Sequence, residues 1–478
     1  MGKKRKLAEL NSQVEEAASS VGDKFRESRE EWAGFAKQAG EDLDRNKRLE
    51  CLKKLKSVLA ESKDDLGSIE IDDIFIKELL TTFTASCSEE DRLILEILRM
   101  CERTFAYDMR KFSPIVWGEL AGNKYDDLRK LGATLYDRPT ADQVLELLDG
   151  KQVWLSTLHM PLERPSHPTE AAIENGANIY NPAFLLPLFA SLLTPETEIS
   201  CRKFVEQNAL AFAFAATSLK DKKLRSFAFL ILSRFRDRLR DLTAEDFEEK
   251  ALFAYLLHVF KNSLDAPNQR VCNVVSHFLA RMSKLLLHPE DPVYPSLMAF
   301  LVLKPTLDLG NVPEMYKLLL SSSTEHFERE RHWLLQLLAD GLREPNDYNV
   351  IEKRFGFKLI LSQFATSLAD HRSRALILRL VKAAVHHPSI AVDLCRRANL
   401  IGWLVLAVRQ PAVTRWEVGF LAEVFVIAAR HVASSAVDSL IKSNMIVGCF
   451  AMKNALAMID DGAKKTWLGQ VEKLAQQS

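Results

Sequence analysis

The sequence predicts an all-α protein, specifically an α-solenoid of HEAT/armadillo-like helical repeats. Three observations carry this expectation. Apolar residues recur at helical spacing along nearly the whole chain, and no run of strand alternation stands out. Glycine is sparse, at 18 of 478 residues, and the 17 prolines fall mostly where helices should start or stop. Many helical stretches are apolar on more than one face, as in Ala375-Leu376-Ile377-Leu378 and Leu335-Gln336-Leu337-Leu338. A helix packed on both sides by neighbours has this pattern, and long series of such helices stack as repeats.

The elements follow in order. Residues 1–66 form a charged N-terminal helical segment or tail, with Leu7, Leu10, Val14, Val21 and Phe25 along one stripe. Residues 67–159 are expected to hold N-terminal helical repeats. Ser88-Glu-Glu-Asp91 and Thr140-Ala-Asp-Gln143 read there as capping boxes, in which side chains satisfy the free amides of a first turn. Residues 160–181, with Pro161, Pro165, Pro168, Asn175, Gly176 and Asn178, read as a loop. The main array is then 182–478. Ser113-Pro114 and Thr194-Pro195 place proline at a first helical position, and Thr243-Ala-Glu-Asp246 reads as a capping box before Phe247. Gly341 and His386-His387-Pro388 read as helix stops. In all, about twenty helices of ordinary length are expected. Arg225, Arg270 and Arg374 each stand near the start of a strongly apolar helix, a repeat mark whose spacing is irregular.

Composition bounds the function. Apolar residues make up 47% of the chain and charged residues 27%, enough for a large core. Lysine plus arginine and aspartate plus glutamate both number 64, so any contact with nucleic acid must use a local patch. The seven cysteines are scattered and contain no C-x-x-C, which argues against a disulfide framework or a zinc site and fits a reducing, intracellular setting. No secretory signal and no membrane-spanning run are read from the sequence.

No catalytic constellation emerges. Phosphate-binding loops, dinucleotide turns, H-E-x-x-H and nucleophile elbows are all missing from the sequence. Asp72-Asp73 and Asp126-Asp127 read as solvated acids of helix ends, and His386-His387 as a helix C-terminus. His326, His332, Arg329 and Arg331 read as polar positions at a surface or interface, and Trp117, Trp333 and Trp403 as packing residues. The expectation is therefore a non-enzyme with no catalytic, metal or cofactor-binding residues.

Two basic features remain. Between Asp221 and Arg240, Lys222, Lys223, Arg225, Arg234, Arg236, Arg238 and Arg240 stand against two acids, a local balance of +5. Arg234 and Arg238 share a helical face, as do Arg236 and Arg240, so this helix is the candidate RNA contact. The competing reading is a solvated helix paired with Glu245, Glu248 and Glu249. Lys3, Lys4, Arg5 and Lys6 form a candidate nuclear import signal.

Several stretches together resemble a known family. Asn181-Pro-Ala-Phe-Leu-Leu-Pro-Leu-Phe189 is similar to the D-P-x-F-L-L-P-x-F opening of the C-terminal domain in nucleolar pre-ribosomal-associated proteins, with Asn181 in place of the usual aspartate. The stretch from Tyr294 to Pro313 resembles that family's P-x-L-D-L-x-x-V-P segment. The stretch from Glu330 to Leu342 resembles its R-x-W-x-L-x-L-L-x-x-G-L helix, and Asn399-Leu-Ile-Gly-Trp403 its later G-x-x-x-W element. The resemblance covers roughly 180–405, the C-terminal portion of usually much longer chains. It implies a non-catalytic scaffold in early nucleolar assembly of the large (60S) ribosomal subunit and in rRNA maturation. The implied partners are precursor rRNA and assembly factors, namely other helical-repeat proteins and a DEAD-box RNA helicase. Neither a membrane nor a small-molecule substrate is expected. The rival expectation is a helical-repeat adaptor that binds only protein, in transport or chromatin.

Overall fold

The computed structural model describes residues 22–36, 45–62, 69, 71–112, 117–132, 135, 137, 139–163, 179–322, 325–434, 439–459 and 462–477. The described chain is all-α and contains no strand; the one β-type pairing is an isolated antiparallel bridge between Ser86 and Tyr180. Two compact units divide between Gln207 and Asn208. Lys3, Lys4, Arg5, Lys6 and Ser113-Pro114 lie outside the described residues, as does most of the 160–181 segment.

The first unit contains a helical segment at 22–36, then α1 (Arg45–Glu61), α2 (Asp73–Thr82), α3 (Glu89–Arg103), α4 (Glu119–Leu131), α5 (Ala141–Glu146), α6 (Gly150–Leu158), α7 (Pro182–Leu192) and α8 (Cys201–Glu206). Helix α1 packs on α3, and α2 on α4. The Thr140 capping box forms with both arms in place, the Thr140 side chain receiving the Gln143 amide and Gln143 receiving the Thr140 amide. At α3 only half the box forms. Ser88 Oγ accepts the Asp91 amide at 3.1 Å, but the Asp91 carboxylate turns to the preceding loop and accepts from the Thr84 and Ser86 amides at 3.0 and 2.6 Å. That buried carboxylate folds the turn that meets Ile179–Asn181, where the Cys87 amide donates to Ile179 O at 2.7 Å.

The second unit begins with α9 (Ala209–Ala216), whose eight residues are all buried. It continues with α10 (Lys222–Asp241), α11 (Lys250–Asn262), α12 (Asn273–Leu285), α13 (Tyr294–Leu303), α14 (Met315–Leu320), α15 (Phe327–Gly341), α16 (Pro345–Glu352) and α17 (Gly356–Gln363). It closes with α18 (His371–Val385), α19 (Pro388–Arg397), α20 (Leu400–Val408), α21 (Arg415–Ala433), α22 (Ser439–Ala457) and α23 (Gly462–Gln477). Every third helix packs on the next: α9 on α12, α12 on α15, α15 on α18 and α18 on α21. This row is the core of the unit. In α12, twelve of thirteen residues are buried, because neighbours cover it on every side. Gly341 permits a close approach within the row. A Cβ there would stand 2.8 Å from Val274 Cα, so no larger residue fits where α15 meets α12.

The last part of the row is regular. Helices α15, α18 and α21 begin at 327, 371 and 415, two steps of 44 residues. Their N-caps are His326, Asp370 and Thr414. Each of the first two is followed by a helix with proline at its start, Pro345 or Pro388, and then by a short helix entered through a left-handed residue, Phe355 or Asn399. The unit is thus three helices in 44 residues, within the size range of HEAT and armadillo repeats.

The three arginines that looked like repeat marks join successive layers. Arg225 donates to Leu219 O at 2.7 Å and Asn268 O at 2.9 Å. Arg270 donates to Ser218 O at 2.7 Å and forks onto Glu344. Arg374 meets Glu417 at 2.6 Å and lies over the Phe364 ring. Arg331, also buried, donates to Leu368 O at 2.6 Å, and His332 faces Asp370 at 2.9 Å.

Two expected helix starts are turns. Thr194 and Thr197 close a turn through their hydroxyls at 2.6 Å, and the next helix starts later, with Ser200 as its cap. Thr243 and Asp246 do form reciprocal bonds, but Phe247 is buried against Phe253 at 5.3 Å and leads the chain out of the turn, so α11 starts at Lys250. Gly341 and His386 end helices as expected.

Candidate nucleic-acid interface

The candidate basic helix is α10. Asp221 caps it, accepting the Lys223 and Leu224 amides at 2.8 and 3.2 Å. Leu224, Ala228, Ile231, Leu232, Phe235 and Leu239 form a buried stripe at spacings of three and four, so the intervening charges face outward. Arg225 is the exception. It is 7% exposed, and its guanidinium is committed to the carbonyls of Leu219 and Asn268. Burial lowers its pKa, as does the neighbouring Arg270. Arg225 therefore holds the α10 entry against the loop before α12 and does not face a ligand.

The other six cations separate into two groups. Lys222 and Lys223 are exposed at the first turn. Arg234, Arg236 and Arg238 are half-buried near the far end, and Arg240 is exposed there. At 1.5 Å per residue the groups stand about 20 Å apart. Asp237 takes Arg236 at 3.1 Å and Arg240 at 3.4 Å, which reduces the positive field of the second group. Basic residues at this end also complement the partial negative charge of a helix C-terminus. The helix thus offers two small basic patches, and Arg225 belongs to neither.

The remaining candidates for chemistry have structural settings. Asp72 caps α2 and forks onto Arg29, while Asp126 pairs with Lys77 at 2.8 Å. All seven cysteines are free and buried, and burial pushes the thiols of Cys51, Cys87, Cys101, Cys272 and Cys395 up to about 12. Among the described residues, no group of three or more histidines, cysteines or acids is placed to hold a metal ion. No single described helix is long and apolar enough to cross a membrane.

Known proteins resemble much of this chain. The family model described as nucleolar pre-ribosomal-associated protein 1 matches residues 210–403. The mouse protein of that name is 30% identical over 338 residues, covering 68% of this chain and 15% of the mouse protein. The human protein is 29% identical over 336 residues, with the same coverage of each chain. This chain belongs to the nucleolar pre-ribosomal-associated protein family. It spans about 15% of the length of these two relatives. No solved structure shows detectable similarity to it.

The family-like motifs are structural in this fold. Asn181 caps α7 by accepting the Ala183 amide at 2.9 Å, ahead of Pro182. Trp333 sets its ring edge-on to Phe278 across the α12–α15 contact, at 5.8 Å. Trp403 donates from its indole nitrogen to Leu361 O at 2.9 Å and meets Phe364 edge-on, tying α20 to α17. Trp117 packs edge-on against Phe184 within the first unit. These residues pack neighbouring segments against one another within each unit.

Proposed function

We propose that this protein is a non-catalytic nucleolar scaffold in early assembly of the large (60S) ribosomal subunit and in rRNA maturation. The observation that carries the reading is the match over 210–403 to a family named for nucleolar pre-ribosomal association. The architecture suits the task. A row of helices packed layer on layer gives a long, semi-rigid surface on which several partners sit at fixed separations. In this reading the partners are precursor rRNA, other helical-repeat assembly factors and a DEAD-box helicase. Cations on the array supply the RNA contacts, among them the exposed Lys222, Lys223 and Arg240 and the half-buried Arg234, Arg236 and Arg238. Lys3, Lys4, Arg5 and Lys6 serve nuclear import.

The test is to tag the protein in its own cell, purify it gently and probe the eluate for large-subunit precursor rRNA. Enrichment of early precursors is the expected result. An intact protein that recovers protein partners without precursor rRNA would replace this reading with a protein-only adaptor.

A further inference from the structure

The short third helix of each 44-residue unit is entered through a residue in the left-handed region: Phe355 at φ 62° and Asn399 at φ 48°. Elsewhere in the second unit Asn208, Asn268 and Glu314 adopt the same conformation. Asparagine tolerates it through local hydrogen bonding, whereas a bulky aromatic adopts it only under strain. The turn around Phe355 is tight because Gly356 presses on α16, where a Cβ would stand 2.2 Å from Ile351 O. Burial does not offset the strain, since Phe355 is 65% exposed. An aromatic ring that is both strained and exposed contributes little to holding the fold, and strain of this kind collects at functional sites.

The ring stands among cations. Phe355 lines a groove of about 650 Å³ with Lys353, Lys358 and Arg397. Arg354, the residue before it, lines a neighbouring groove of about 510 Å³ with Lys304 and Lys317. The turn is the wall between the two. Lys358 Nζ lies 5.2 Å from the Phe355 ring centroid. The acids in these grooves are engaged: Asp393 with the Tyr348 hydroxyl and Arg397, Glu352 with the Phe357 amide, Asp308 with the Gly310 amide and Glu314 with Lys317. Lys304, Arg354 and Lys358 are exposed, and none forms an ion pair among the described residues.

We propose that the Lys353–Lys358 turn binds single-stranded RNA, with Phe355 stacking on one base and Arg354 and Lys358 contacting the flanking phosphates, while Lys353 donates to Gly310 O at 3.1 Å and braces the turn. This rests on the reading of the protein as an RNA-binding scaffold, and it assigns a contact outside α10. A stacking ring set among cations is the recurring solution for single strands, whose bases are free to leave the helix. A protein-docking site would gather several exposed apolar anchors. In this groove Phe355 is the sole large apolar side chain that stands exposed among the described residues.

The test uses the whole chain, fluorescein-labelled polyuridylate and anisotropy at several salt concentrations. Phe355→Asn suits the left-handed turn, so its melting temperature should match or exceed that of the parent. Its affinity should fall about 5- to 100-fold with the salt slope unchanged, while Phe355→Trp retains binding. Arg354→Glu and Lys358→Glu should instead flatten the salt slope, by about one each. A folded Phe355→Asn variant that binds as tightly as the parent overturns the site. If Arg236→Glu with Arg240→Glu abolishes binding while Phe355→Asn does not, the contact is on α10; the scaffold reading stands and this site falls. If the parent binds no RNA even at low salt, both fall. If Phe355→Asn loses a protein partner with RNA affinity unchanged, the turn is a protein-docking site and the proposal is wrong.

Discussion

Arginine does opposite work in two regions of this molecule. Along the row from α12 to α21, Arg281, Arg331 and Arg374 are buried and bridge one layer to another. At the end of α10, Arg236 and Arg240 share one carboxylate at the surface. The residue type is the same, and the surroundings decide its effect. A buried guanidinium without its partner is a desolvated charge, while an exposed one is simply hydrated. Energetic sensitivity should therefore concentrate in the row, and sensitivity of binding should concentrate at the surface.

The largest effect is expected at Asp340, which takes Arg281 at 2.6 Å and Arg379 at 2.7 Å. Burial already lowers the Arg281 pKa, with Asp340 opposing that shift. Asp340→Ala removes the carboxylate that faces the buried Arg281 guanidinium and should cost about 3–5 kcal/mol in a urea titration. Combining it with Arg281→Met should recover much of that loss, since the buried Arg281 charge is then removed together with the carboxylate that faced it. A single-variant cost near zero would mean that Arg281 reaches water, and the contrast between the regions would fail.

Trp333→Ala comes next, at about 3 kcal/mol by the same measurement. This is the low end for an aromatic truncation, because Trp333 is only half-buried despite its edge contact with Phe278. A loss below 1 kcal/mol would show that this contact contributes little to the α12–α15 layer.

A smaller, pH-dependent effect belongs to Asp370, the N-cap of α18. Burial alone would raise its pKa, but hydrogen bonds from Ser373 and His332 outweigh it and hold the carboxyl at about 2. A carboxyl depressed on folding contributes stability above its unfolded pKa, near 4, and loses it as pH falls through the folded value. Asp370 is about one-third exposed, so after allowance for solvent screening Asp370→Asn should cost about 1 kcal/mol at pH 7. The gap between variant and parent should close between pH 4 and pH 2. A gap that persists to pH 2 would assign the effect to side-chain shape rather than charge.

Local signals were legible in the sequence where one side chain acts on one turn. The Thr140 box, Gly341 and His386-His387-Pro388 behave as read. Thr194-Pro195 and Thr243–Asp246 carry similar local chemistry, yet they close single turns, because a cap cannot extend a helix that packing does not support. The 44-residue period was hidden for a different reason. Its units share geometry rather than residue type: the N-caps are histidine, aspartate and threonine, and the left-handed positions are phenylalanine and asparagine. The basic helix shows the same limit. A charge count includes Arg225 with the rest, although its donors are already spent on carbonyls of the fold.

The smallest expected effect on stability is at the surface of α10, and it tests the other side of the contrast. Arg236→Glu with Arg240→Glu removes two pairings with Asp237, whose carboxylate is exposed; Arg240 is exposed as well and Arg236 half-buried. Such pairs are worth little, so stability should change by no more than about 0.5 kcal/mol. The charge change itself is large: two cations become anions beside Asp237, turning an attractive patch into a repulsive one. If this patch touches phosphate, RNA affinity should fall and its salt slope should flatten by about two, with the melting curve unmoved. A variant that melts earlier by several degrees would place these arginines with Arg281 and Arg374 as part of the framework. In that case the surface available to RNA would shrink to Lys222 and Lys223 on this helix.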